Sequence, residues 1–257
     1  MSARAADAAG GALRPLVAET AAARIADRFV TAIALGHFVV GQKLPTIPEL
    51  AASLEVSPTT VREALTRLSA LGYVKVTRGR TGGATVVSQW GPASDSMVRR
   101  ALEPEWAQLE VTLDFRSLIE QQIARTAAER RTPEDEVAIR AGVQRYVDAE
   151  GDREASRLAD LAFHGAIAAA MRNPQLADLS LRLRHQVSLG FEAEPYNPDV
   201  RARAVVQHAE IAEAVIDGRA SDAARLAGIH FSLTAEVLRA LHHRTHPDAE
   251  PGTTPES

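Results

Sequence analysis

The chain has 257 residues and 46% of them are apolar, enough to fill real cores and to exclude a wholly disordered protein. Cysteine is absent, which excludes disulfide frameworks, thiol nucleophiles and thiolate metal sites and leaves histidine and carboxylate as possible metal ligands. The net charge of −4 is uneven: residues 14–90 hold nine Lys/Arg against five Asp/Glu, residues 1–13 cancel, and residues 91–257 carry −8. A basic front and an acidic rear predict two modules with different partners.

The opening MSARAADAAGGALRP lacks the apolar run of a signal peptide, and no stretch reaches the ~18 apolar residues of a membrane helix. Residues 1–13 therefore read as a disordered, cytoplasmic terminus. A helix is predicted over 17–35, with Ala22, Ile25, Phe29 and Ile33 on one face and Gly36 behind it. A turn at GQKLP leads into a short helix around Pro48–Leu54. Ser57 then caps a helix whose first residue is Pro58, a position where proline's missing N–H costs nothing. Val61, Ala64, Leu65, Leu68 and Leu71 give that helix its apolar face, and Gly72 ends it. Tyr73–Thr77 and Ala84–Val87 read as two strands joined by RGRTGG.

The Gly-Pro step in SQWGPASD marks a boundary, and 91–111 reads as a linker. Everything after it reads as helix. Segments are predicted over roughly 112–130, Pro133 to Ala149, 153–171, Pro174 to Gly190, Pro198 to Gly218 and Ser221 to His243. Three of them open on a capping Thr or Asn followed by proline. The Pro/Thr/Glu-rich tail 245–257 reads as disordered. The expected fold class is mainly α, with a small β-hairpin module in front of an antiparallel bundle over 112–244.

The order helix, helix, tight turn, helix, hairpin fits a DNA reader that inserts its second motif helix into the major groove. Ser57, Thr59 and Thr60 would offer hydroxyls and N–H groups to phosphate, and Arg62 lies one turn in, within reach of guanine or phosphate. Arg78, Arg80, Thr81 and Gly82 at the hairpin tip suit minor-groove or backbone contact. Spacing alone is equally compatible with a small α/β module whose charges merely face water.

In the rear, His164, His208 and His230 each lie on an inward, apolar helical stripe, and Asp160 precedes His164 by four residues on the same helix side. One inward histidine is ordinarily a satisfied core residue. Four buried unpaired polar groups would cost about 1–3 kcal/mol each, so a shared divalent cation is the expected partner. His37, His242, His243 and His246 read as exposed or terminal.

The stretch GQKLPTIPELAASLEVSPTTVREALTRLSALGYVKVTRGRTGGATVV resembles the winged helix-turn-helix of the GntR family of bacterial transcription regulators. Where relatives carry two DNA-contacting arginines this chain has Pro48 and Pro58, which leaves Arg62 and Arg80 as the chief readers. Residues 112 to 243 resemble the helical FCD domain of the FadR-type branch. That resemblance implies metal ligands Asp160, His164, His208 and His230, with zinc first and nickel or manganese as alternatives. It also implies a small carboxylate effector held beside Arg116, with Asn173 and His185 as secondary pocket candidates, Asn173 also fitting a helix cap.

The expected function is a homodimeric repressor of a double-stranded operator, switched by an organic acid. The rival readings are a metal-dependent hydrolase and a bundle stabilised by metal without any effector. The first lacks an H-E-x-x-H motif and leaves the front module unexplained.

Overall fold

A computed structural model describes residues 20–77, 79, 82–188 and 197–246. The front module is three helices and a hairpin. Thr20 caps α1 (Ala21–Ala34) by accepting the Ala23 N–H at 3.1 Å. A reciprocal capping box between Thr46 and Glu49 opens α2 (Ile47–Ser53), and α3 (Pro58–Ala70) starts on the Ser57 cap with proline first. Strands β1 (Val74–Thr77) and β2 (Gly83–Val86) pair antiparallel with Val74 opposite Val86. The segment before α2 runs beside β2, where the Leu44 N–H donates to Ala84 O and the Val86 N–H donates to Gln42 O. Phe29, Ile33, Val61, Leu68 and Val86 close this core.

The predicted linker is largely helix. Ser94–Leu102 forms α4, a single 3-10 turn covers Glu103–Glu105, and α5 (Trp106–Arg130) begins six residues before the expected start. The physical reason is an amphipathic face hidden among charges: Met97, Val98 and Leu102 are buried against α1. Arg100 clamps the buried Asp27 of α1 with two hydrogen bonds of 2.7 and 2.8 Å, and the Tyr73 and Ser94 hydroxyls meet at 2.7 Å. The same core takes in Leu109 and Leu113 of α5 and Leu238 and Leu241 of the last helix, so the head rests on the bundle through continuous apolar packing.

The bundle continues with α6 (Pro133–Asp148), α7 (Arg153–Ala170), α8 (Pro174–Val187), α9 (Pro198–Ile216) and α10 (Ala220–Thr245). The longest two, α5 and α10, lie along one another. A second core gathers Ile123, Phe163, Ile167, Met171, Ile211 and Val215. Gly142 is required by close approach, since a Cβ there would sit 2.9 Å from Phe163 Cα. Helix α10 runs past the predicted His243 to Thr245, while segments 1–13 and 247–257 lie outside the described residues. Three histidine placements need correction. His37 is buried after the end of α1, and His242 and His246 are largely covered, with the His242 ring stacked between Trp106 and His246 at 3.9 and 4.1 Å between ring centroids.

A candidate metal and effector cavity

Asp160 and His164 leave α7 one turn apart, His208 comes from the middle of α9, and His230 from α10. The structure brings these four side chains together. His230 Nε2 lies 3.2 Å from His164 Nε2 and 3.3 Å from His208 Nε2. Asp160 Oδ1 stands 3.6 Å from His164 Nε2 and 3.5 Å from His208 Nε2. All four donor atoms fall within 4.8 Å of one another.

Neighbouring groups fix their orientation. His230 Nδ1 faces Gln207 Oε1 at 3.1 Å, and Arg184 Nη2 donates to Asp160 Oδ2 at 2.9 Å. The His208 ring packs 4.5 Å from both Tyr146 and Phe163, between ring centroids. Burial, followed by the His164 charge, lowers the His208 pKa from 6.5 to about 3. Burial and the two neighbouring imidazoles hold His230 well below its ordinary value. Burial alone would raise Asp160, but His164, Arg184 and His208 keep its carboxyl well below the usual carboxylate range.

These charge states fit a cation. Gln207 Oε1 can only accept, so His230 Nδ1 carries the ring proton and the neutral ring turns the Nε2 lone pair toward two other imidazole nitrogens. Three imidazole nitrogens and one ionised carboxylate suit a borderline divalent ion, and the neutral His208 and His230 rings have no proton to shed first. Gln207 and Arg184 stand where such ligands are normally braced from behind.

Above the cluster opens a cavity of about 690 Å³. Arg116 of α5 lines it and is only 4% exposed, with its guanidinium carbon 4.8 Å from the Phe231 ring centroid. Six cationic side chains (Lys43, Arg116, Arg153, Arg157, Arg184, Arg201) face three carboxylates (Glu49, Glu154, Asp160) across its wall. The remaining pocket candidates fall elsewhere. Asn173 spends its side-chain oxygen capping α8, accepting from Gln175 and Leu176 N–H, and does not line the cavity. His185 is exposed on α8, and its neighbour Arg184 is the residue that turns inward, one residue being 100° of helix.

The chain as a whole can be set beside known proteins. The family model described as bacterial regulatory proteins, gntR family, matches residues 21–86, and the FCD domain model matches residues 111–233. RmpR of Mycobacterium gastri, an HTH-type transcriptional regulator by name, is 32% identical over 242 residues, covering 90% of this chain and 86% of its own. The chain belongs to the GntR family, with an FCD domain behind its head. It is a DNA-binding transcription regulator and not an enzyme. The galactonate operon transcriptional repressor of Escherichia coli is 29% identical over 159 residues, 61% of this chain and 69% of that protein. Streptococcus agalactiae GntR aligns over 85% of this chain and 99% of its own, at 25% identity and a TM-score of 0.44.

On the regulator's head, Thr59 and Arg62 are exposed at the start of α3. The Ser57 hydroxyl is engaged locally, accepting the Thr60 N–H at 3.1 Å and meeting the Thr60 hydroxyl at 2.8 Å. Arg78, Arg80 and Thr81 lie outside the described residues, while the Gly82 N–H donates to Gly79 O at 2.9 Å. Sequence reasoning missed the cavity's outer wall, formed by Arg153, Arg157 and Arg201 with Lys43, Leu44 and Glu49 of the head. Its one available signal was the run of arginines around the Asp160 motif.

Proposed function

We propose that this regulator is a cytoplasmic homodimeric repressor whose operator binding responds to a small carboxylate held against a divalent ion, zinc first. The reading rests on one observation: a set of three nitrogens and one oxygen lies beneath a cavity that a buried arginine lines. Asp160, His164, His208 and His230 would hold the ion, which when bound supplies a Lewis-acid anchor for a carboxylate oxygen. Arg116 would grip the same carboxylate through its fork of donors. Because Arg116 sits on α5 and His230 on α10, one ligand bridges the two longest helices, whose far ends carry the head. A ligand shifts the head only through different affinities for its two placements. Ser57, Thr59, Thr60 and Arg62 would meet DNA from α3, with Arg78, Arg80, Thr81 and Gly82 reaching it from the hairpin.

Melting curves of the zinc-loaded regulator with short 2-hydroxy acids such as lactate and glycolate test this. A saturable rise that disappears in Arg116→Gln is expected, together with an acid-dependent change in retention of DNA from upstream of the regulator's own gene. No response to any short acid, or one indifferent to Arg116→Gln, would overturn the effector reading.

A further inference from the structure

With no cysteine, the chain can hold an ion only through histidine and carboxylate. Among the described residues a second group of such donors converges, away from the cavity and its buried cluster. Glu103 stands in the 3-10 turn between α4 and α5, His242 in the last turn of α10, and His246 caps that helix. Four residues apart at a helix end, the two histidines leave the same side. Their donor atoms and a Glu103 oxygen all lie within 4.8 Å of one another.

The hydrogen bonds decide which atoms are available. His246 Nδ1 lies 2.9 Å from His242 O, which can only accept, so Nδ1 carries a proton. His246 Nε2 is buried and in ion-pair contact with Glu103 Oε2, yet it makes no hydrogen bond with any described residue. The nitrogen and the oxygen therefore approach without facing each other, as ligands arranged around a shared ion do. His242 Nε2 stands 3.8 Å from the same oxygen. Burial, then the His246 charge, lowers the His242 pKa, which favours the unprotonated ring that an ion requires. The His242 and His246 rings lie 18° from parallel, and Trp106 stacks on His242 at 13°. An ion in both histidine planes needs one ring to turn. His242 is held between two rings, so the turn falls to His246 at the helix end.

The place matters for the head. Arg99 of α4 already donates to Thr245 O through Nε and Nη2, at 3.0 and 2.6 Å. Met97, Val98 and Leu102 of the same helix belong to the core that α1 and the end of α10 share. A crosslink here joins the last turn of α10 to the segment on which the head is seated.

We propose that Glu103, His242 and His246 form a second divalent-cation site, completed by water, which fastens the end of α10 to the α4–α5 joint and stiffens the seat of the head. Two imidazoles, one glutamate and a water are a set that zinc accepts. Glu103 is exposed, so the ion stays open to solvent. This site fills only after the buried cluster and empties on gel filtration. It gives the regulator a response to excess metal that uses no residue of the cavity and does not depend on the carboxylate reading.

Zinc itself is the probe. The full chain, loaded with zinc and gel-filtered, should take up one further zinc per chain in equilibrium dialysis. Glu103→Gln and His246→Ala should each weaken that second uptake at least tenfold and leave the first in place, whereas His208→Ala should lose the first and keep the second. Trp106 reports on the site directly: in a Trp90→Phe background, where it is the chain's one tryptophan, its fluorescence should change with the second equivalent and not with the first. Amide exchange over residues 94–105 and 238–246 should slow in step. No second uptake, or a second uptake indifferent to both Glu103→Gln and His246→Ala, would overturn the inference. So would Trp106 fluorescence that follows pH but ignores zinc, the mark of a proton shared by the histidines and Glu103 in place of a metal.

Discussion

The exposed start of α3 and the histidine cluster of the bundle both hold polar side chains in fixed places, by opposite means. At α3 the work is local: Ser57 and Thr60 satisfy each other within one turn, and Arg62 is left in water. In the bundle the polar atoms come from α7, α9 and α10, and the apolar packing of those helices brings them together. Local hydrogen bonds therefore set the first site, while the second depends on the whole domain and would give stability back if an ion filled it. A surface site should respond to salt and lose affinity in small steps. A buried one should respond to metal and pH, and its loss should reach the whole fold.

The largest expected effect follows from that coupling. Stripping metal with a chelator should lower the regulator's melting temperature by the equivalent of about 4 kcal/mol when free metal had stood a thousandfold above its dissociation constant. His208→Ala should melt identically with and without chelator. Equal chelator effects in both proteins would mean that the cluster does not hold the ion.

Acid is the next lever. In the metal-free chain the unfolded His208 takes a proton near 6.5, whereas the folded ring refuses it until about 3. The unfolded state then binds more protons between those values, so stability should fall as pH drops through that window. His230 adds to the same slope. Chelated protein melted at pH 7.5 and 5.5 should show the loss, and His208→Gln should shrink it.

Smaller effects belong to the head. Arg62→Ala should cost about 1–3 kcal/mol of operator affinity and lower the salt slope of binding by about one if Arg62 meets a phosphate. Gel shifts across a salt series distinguish that from a base contact, where discrimination falls and the slope does not. Ser57→Ala should cost about 1 kcal/mol of folding stability through the lost cap. If instead it leaves melting untouched and only weakens DNA binding, the hydroxyl serves phosphate rather than α3.

What the sequence makes legible follows the same division. The head reads off directly because its caps, glycines and apolar stripe are contiguous, and Ser57-Pro58 opens α3 as predicted. The four donors stand out because each occupies an apolar position in its own helical stripe. Helix α4 escaped notice because arginines surround Met97, Val98 and Leu102, and its partner face on α1 is some seventy residues away. The cavity's outer wall was hidden for a related reason: Arg153 and Gln42 are 111 residues apart, and no local pattern announces that they touch. Among adjacent residues, helix phase decides, which is why Arg184 faces Asp160 and His185 faces water.

X-ray absorption on zinc-loaded protein tests the shared cation most directly. The edge and fine structure should show one zinc per chain with three imidazole nitrogens at about 2.0–2.1 Å and a carboxylate oxygen. A zinc shell with fewer than three imidazoles, or protein that retains no zinc after gel filtration, would contradict it.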